Sequence, residues 1–188
     1  MLFAVAGSQG SGKSSVLRGL ENSGYEVLQR KISRSILADW GVKLDEVNSD
    51  EELSIEFQKE VLLRKRSDEE SAIHSSEIVF TERTFIDSFV YFMYTFGSKT
   101  KFDRNITDYY NTCVENDSHY SAVFLLPSGK FQPQNDGVRN TNSLYVESVD
   151  VVMQHFLRKT LNRKLYDVTA VSIEDRVKYV RDVTTKLI

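Results

Sequence analysis

The sequence is short of the residues that mark secreted, membrane-spanning and nucleic-acid-coating proteins. It holds a single cysteine, Cys113, which excludes an internal disulfide framework and suits a reducing compartment. No His or basic neighbour marks Cys113 as a reactive thiol, so a buried structural role is expected. No apolar run approaches the roughly 20 residues that a membrane-spanning helix needs. The opening apolar stretch Leu2-Phe3-Ala4-Val5-Ala6 is too short for a signal peptide and lacks a basic leader. A cytoplasmic protein is therefore expected. Positive charge is not in excess either: 24 Lys and Arg stand against 27 Asp and Glu, a net charge of −3. That weighs against a nucleic-acid-binding surface, although segregated charge would still permit one. The three histidines, His74, His119 and His155, are far apart and fit no metal-ligand spacing, so surface roles are expected.

What remains is an ordinary globular composition over 188 residues, 40% hydrophobic and 27% charged, enough for one domain with its own core. There is no repeat, linker or low-complexity segment. Short apolar runs at 2–6, 25–28, 78–81, 122–126 and 166–171 read as strands. Segments with helical spacing lie between them, at 13–21, 32–40, about 49–75, 85–96, 106–114, 143–161 and 173–184. Residues 128–142 are polar and rich in turn formers, and read as a mobile loop. Strands alternating with helices predict a single α/β domain over 1–188: a three-layer α/β/α sandwich on a five-stranded parallel sheet. Ligands in such sheets bind beyond the carboxyl ends of the strands.

Gly7-Ser8-Gln9-Gly10-Ser11-Gly12-Lys13-Ser14 directly follows the first strand and opens the first helix. It fits the pattern G-x-x-x-x-G-K-[ST] without mismatch, which makes it a P-loop and the fold a P-loop NTPase. Glycines let backbone N–H groups close on phosphate oxygens where side chains would block them. The helix start adds its free amides and dipole. Lys13 is expected at the β- and γ-phosphates of ATP, and the Ser14 hydroxyl on Mg²⁺. Ser15 extends the ATP-binding set by one residue.

A P-loop enzyme also needs an acid near the metal, at the end of a neighbouring strand. Ile78-Val79-Phe80-Thr81-Glu82 supplies Glu82, and Arg83 follows as a cation for the transferring phosphoryl group. Taken alone, the two read better as a solvated pair at a strand end; the P-loop beside them favours the functional reading. Asp87 lies four residues on, and Tyr91 and Tyr94 follow on the same helical face. Either they hold a sugar or base, or they form a buried aromatic stripe.

The run Phe80 to Tyr91 resembles two related patterns. One is the E-R-S motif of the deoxynucleoside kinases. The other is the D-R-x-x-x-D-x-x-x-Y segment of the NadR-like P-loop ATPases and kinases. Phe57-Gln58, Asp136-Gly137-Val138-Arg139 and Val171 to Arg176 are similar to further NadR-like stretches, so the likeness covers nearly the whole chain. It implies that Glu82 helps hold Mg²⁺, that Arg83 contacts phosphoryl oxygens, and that Arg139 closes over the triphosphate as a lid cation. Without it, Asp136-Gly137 reads equally well as a plain surface turn.

One departure bears on the substrate. Both kinase groups often carry an acid after the second strand, as E-x-x-R, to serve as base on an acceptor hydroxyl. Here the stretch is Gln29-Arg30-Lys31-Ile32-Ser33-Arg34, with Lys31 in the acid's place and Arg34 retained. A phosphate acceptor needs cations instead of a base, so Lys31 and Arg34, with Arg30, point to a (deoxy)nucleoside monophosphate. Plain surface charges at a helix start explain them equally. Asp87 as a base keeps a nucleoside acceptor open, of deoxynucleoside or nicotinamide riboside type. A modified base in DNA is a third acceptor. A regulatory P-loop ATPase without a small-molecule acceptor, or an NTP-driven switch, is the rival class. Monomer and homodimer both remain open.

Overall fold

The structure, a computed structural model, describes residues 1–29, 31–96, 103–127 and 142–188. The chain opens with β1 (Leu2–Ala6), α1 (Lys13–Glu21) and β2 (Glu26–Leu28). Three helices follow, α2 (Ile32–Trp40), α3 (Leu44–Ser49) and the long α4 (Glu51–Ser75). Next come β3 (Val79–Glu82), α5 (Phe85–Phe96), α6 (Asp103–Asp117) and β4 (Ala122–Leu125). The chain closes with α7 (Ser143–Leu161), β5 (Leu165–Asp167) and α8 (Ile173–Leu187). The strands form a five-stranded parallel sheet in the order β2-β3-β1-β4-β5. That is the α/β sandwich the alternation of elements predicts.

β1 lies at the centre of the sheet, and its unbroken apolar run is explained by cover on both faces. Leu2, Ala4 and Ala6 face a core built with Phe85, Phe89 and Val90 of α5, Cys113 of α6 and Met153 and Leu157 of α7. Phe3 and Val5 point the other way, into Val16, Leu17 and Leu20 of α1 and Val180 of α8. On that second face Phe3, Phe80 and Phe124 from three adjacent strands sit with ring centroids 5.3 and 6.3 Å from Phe3. The rings make a continuous aromatic row under α1 and α8. A smaller cluster joins α2, α3 and α4 through Ile36, Val47, Phe57 and Val61, with Trp40 edge-on to Phe57 at 6.0 Å.

The structure differs from the sequence reading mainly at element ends. Helix α3 was not expected. Its single turn and a half is too short for a periodic signal, although Glu46 Oε2 accepts the Lys43 N–H at 3.0 Å as in a helix start. Ser49 ends this helix, so it is Asp50 that caps α4, accepting the Leu53 N–H at 3.0 Å. α6 runs further than 106–114 at both ends, and β5 stops well short of Val171. Among the described residues β5 is an edge strand, paired with β4. Residues 128–141 of the expected loop lie outside the described residues, and Asn142 caps α7, its Oδ1 accepting the N–H groups of Leu144 and Tyr145.

α1 and α8 pack closely through Gly19. A Cβ there would lie 2.5 Å from Val177 Cγ2. Gly19→Leu gains about 1 kcal/mol of helix propensity but meets an overpacking cost of about 1–3 kcal/mol against a stiff β-branched side chain. The expected result is a lower urea midpoint; an unchanged or raised midpoint contradicts the tight packing.

Candidate functional site

The P-loop geometry begins where β1 ends. Gly7 has φ 139°, and a Cβ on it would stand 2.6 Å from the Leu126 carbonyl oxygen at the end of β4. Only glycine fits both demands. Gly10 and Gly12 are also left-handed, with φ 73° and 90°, and Gly12 is the N-cap of α1. The loop therefore bends back over the first amides of α1, which have no earlier helical turn to bond. Lys13 is buried, and its Nζ donates to the Ser8 carbonyl at 2.8 Å and Ser11 Oγ at 3.3 Å. Ser8 Oγ and Gln9 Oε1 are buried in the same loop without a hydrogen-bond partner. Ser14 and Ser15 lie exposed on the first turn of α1.

Parallel pairing of β1 with β3 sets Val5 beside Glu82, so the end of β3 adjoins the loop. The Arg83 N–H donates to the Val5 carbonyl at 3.0 Å, and Arg83 then turns left-handed with φ 69°. A non-glycine residue in that region costs on the order of 1 kcal/mol or more, so the surroundings must impose it. The bend takes the guanidinium over the Tyr91 ring, 4.9 Å from its centroid. Burial opposes the charge on Arg83, but Tyr91, Asp87 and Glu82 more than offset it and hold the guanidinium firmly protonated. Arg83 Nη1 is buried with no hydrogen-bond partner.

Asp87 is fully buried at the start of α5. Its Oδ2 accepts the Thr84 N–H at 3.0 Å, while its own N–H donates to Thr84 Oγ1 at 3.1 Å. This reciprocal pair is a capping box. Asp117, from the end of α6, accepts the next two amides, Phe85 at 2.7 Å and Ile86 at 3.2 Å. Asp87 Oδ1 has no partner. Burial pushes the Asp87 carboxyl up from the usual carboxylate range, and Arg83, Lys13 and the Thr84 N–H pull it back. Asp87 thus combines a helix cap with a free oxygen that lies in the field of both cations.

Lys65 is a site residue that sequence reasoning missed. It is buried in α4 and its Nζ donates to Glu69 Oε1 at 2.6 Å, Thr81 Oγ1 at 3.2 Å and the Glu82 carbonyl at 3.3 Å. Glu69 in turn accepts the Tyr120 hydroxyl at 3.1 Å. The network pins the carboxyl end of β3, and with it Glu82 and the Arg83 bend. Its signal in the sequence is a lysine on the apolar stripe of Phe57, Val61 and Leu62.

The residues expected at the acceptor fall into two groups. Lys31 and Arg34 are exposed and line a cavity of about 640 Å³ between α2 and α4, together with Arg64 and Asp68. A separate small space lined by Lys65, Thr81 and Glu82 at the end of β3 lies next to it, with Ile32 and Asp68 bordering both. Asp87 and Tyr91 stand apart from this cavity, on α5 beside Arg83. Arg30, Arg139 and the stretch 136–139 lie outside the described residues. The three histidines are exposed, and Cys113 is buried with its thiol pushed up by desolvation.

A central parallel sheet with a P-loop after its middle strand defines a P-loop α/β protein. The family model described as AAA domain matches residues 2–176, and the chain belongs to that family. No curated protein matches it. Among solved structures, deoxyadenosine kinase from M. mycoides with bound dATP matches with a TM-score of 0.74 at 15% identity, over 98% of this chain and 100% of that one. NadR protein in complex with NR matches with a TM-score of 0.70 at 12% identity, over 100% of this chain and 50% of that one. The fold is thus that of the P-loop kinases of the deoxynucleoside kinase and NadR type.

Lys65→Met would leave Glu69 as a buried charge with Tyr120 as its side-chain partner among the described residues. A loss of about 3–5 kcal/mol in urea denaturation is expected, with most of it restored by adding Glu69→Gln. Equal losses in the single and double variants would show that the ion pair is not the cause.

Proposed function

We propose that the chain is an ATP-dependent phosphotransferase and that its acceptor is a (deoxy)nucleoside monophosphate. The observation that carries this reading is the convergence of Lys13, Arg83 and Asp87 beside a P-loop, with the α2–α4 cavity that Lys31 and Arg34 line lying next to the small space at the end of β3. Backbone amides of Gly7 to Ser15 cradle the triphosphate, and Lys13 exchanges its loop carbonyl for β- and γ-phosphate oxygens. Arg83 offers a guanidinium nitrogen that has no protein partner, oriented for the transferring group. Arg139 is the cation assigned to close over the phosphates.

Mg²⁺ fits the donor set, since the Ser14 hydroxyl and the Glu82 carboxylate are hard oxygen ligands, partly or fully exposed to a cation carrying waters. Bound there, it would neutralise charge on the phosphate oxygens. Lys31 and Arg34 hold the acceptor phosphate, while Arg64 on the facing helix is already paired with Asp39 and Glu60. An acceptor that is already anionic needs orientation more than deprotonation, which accounts for a lysine where related kinases carry an acid.

A nucleoside acceptor is the second reading. It is favoured by the unpartnered Asp87 Oδ1 and by the likeness to deoxyadenosine kinase, solved with dATP and with products dCMP and dCDP. In that reading Asp87 is the base and Tyr91 part of the acceptor wall.

The test is ADP release from ATP and Mg²⁺ with a panel of nucleosides and monophosphates. A monophosphate is expected to stimulate release, and the Lys31→Ala/Arg34→Ala variant to raise its KM roughly 10-fold or more with kcat little changed. Asp87→Asn, which keeps the cap acceptor, is expected to leave kcat within about ten-fold; a fall of roughly 10²–10⁴-fold with a nucleoside acceptor would favour the second reading. Release that no acceptor stimulates, and that Lys13→Ala abolishes, would point to a regulatory ATPase.

A further inference from the structure

Arg176 lies 165 residues from Ser11 in sequence, yet its Nη1 donates to the Ser11 carbonyl of the P-loop at 2.6 Å. Its Nε donates to the Ala170 carbonyl at 2.8 Å, in the turn between β5 and α8. The side chain is wholly buried. A buried guanidinium is expensive to desolvate, so the groups it holds are fixed firmly. What the contact fixes is a peptide plane. In a trans peptide the carbonyl and the following N–H leave opposite edges of one rigid unit, so holding the Ser11 carbonyl sets the direction of the Gly12 N–H.

Gly12 is the N-cap of α1, and amides at a helix start look out along the axis, towards the space the loop encloses. Gly12 is also left-handed, at φ 90°, a conformation that a flexible glycine leaves readily without an outside restraint. The anchor for that restraint is firm. Ser172 caps α8 by accepting the Asp175 N–H at 3.0 Å, and Arg176 begins the next turn. The close α1–α8 contact at Gly19 and Val177 holds the two helices in register.

We propose that Arg176 is a positioning residue for phosphate binding: it aims the Gly12 amide into the P-loop and ties the loop to the β5–α8 turn. The proposal rests on the nucleotide-binding reading of that loop. It adds that part of the loop's readiness for an anion comes from the last helix of the sheet, and not from the loop sequence alone. Loss of the guanidinium leaves the Ser11–Gly12 peptide free to rotate, so the effect belongs to phosphate affinity and not only to stability.

The test uses inorganic tripolyphosphate and ATP as probes with the full chain. Arg176→Met keeps the apolar stem and is expected to bind tripolyphosphate about ten-fold or more weakly than the natural protein, by calorimetry at a temperature where both are folded. Arg176→Lys, which has one ammonium to span two carbonyls, is expected to fall between them. In the unsubstituted protein the Arg176 Nε–H resonance is expected to shift when tripolyphosphate saturates the loop, and this readout stands even where a variant does not fold. Equal affinity in a folded Arg176→Met, or an Nε–H resonance indifferent to tripolyphosphate, overturns the proposal and leaves the nucleotide reading intact. A natural protein that binds neither probe removes the nucleotide reading, and the proposal with it.

Discussion

The structure depends on how buried positive charge is held at the carboxyl edge of a parallel sheet. Lys13, Lys65 and Arg176 are each 5% exposed or less, and Arg83 is half-buried beside them. Backbone carbonyls of Ser8, Ser11, Ala170 and Glu82 accept from three of them, and Glu69 and Asp87 supply negative charge beneath. Carbonyl dipoles orient a cation without cancelling it. The cations are thus gathered at one edge in a region of low dielectric, where charge acts strongly on an anion.

Sheet order makes this convergence possible. β1 sits between β3 and β4, so the loop after β1 is flanked by Glu82 and Arg83 on one side and Leu126 on the other. The Leu126 carbonyl crowds Gly7, and the Val5 carbonyl holds the Arg83 amide as that residue turns left-handed. Thr84 and Asp87 then start α5 at once, which fixes Arg83 over Tyr91 on the next turn. A strained residue, a cap and an aromatic rest follow one another within nine residues, each limiting the freedom of the last.

Much of this was legible in the sequence because it is local. The P-loop, the strand before it and the helix after it occupy one stretch, and α1, α2, α5 and α7 begin and end where caps and spacing put them. Asp87 was visible as a carboxylate on the right helical face, but its double life as a cap was not. What was hidden is long-range. Lys65 finds Thr81 from another element, and Arg176 crosses the whole chain to reach Ser11. Periodicity marks Lys65 as anomalous on an apolar stripe but does not name its partner. Arg176 gave no signal beyond a family-like turn. The acceptor residues were grouped by the sequence as one site, while the fold divides them between the α2–α4 cavity and the Arg83 side of α5.

That division makes the fate of the terminal phosphoryl group the central question. ATP labelled with ¹⁸O in its γ-phosphoryl group, incubated with the protein, Mg²⁺ and a deoxynucleoside monophosphate mixture, answers it by mass spectrometry of the products. The account predicts that the label appears in a deoxynucleoside diphosphate, and that Lys13→Ala abolishes its transfer. Label recovered only as inorganic phosphate, in amounts that no acceptor changes, would contradict it.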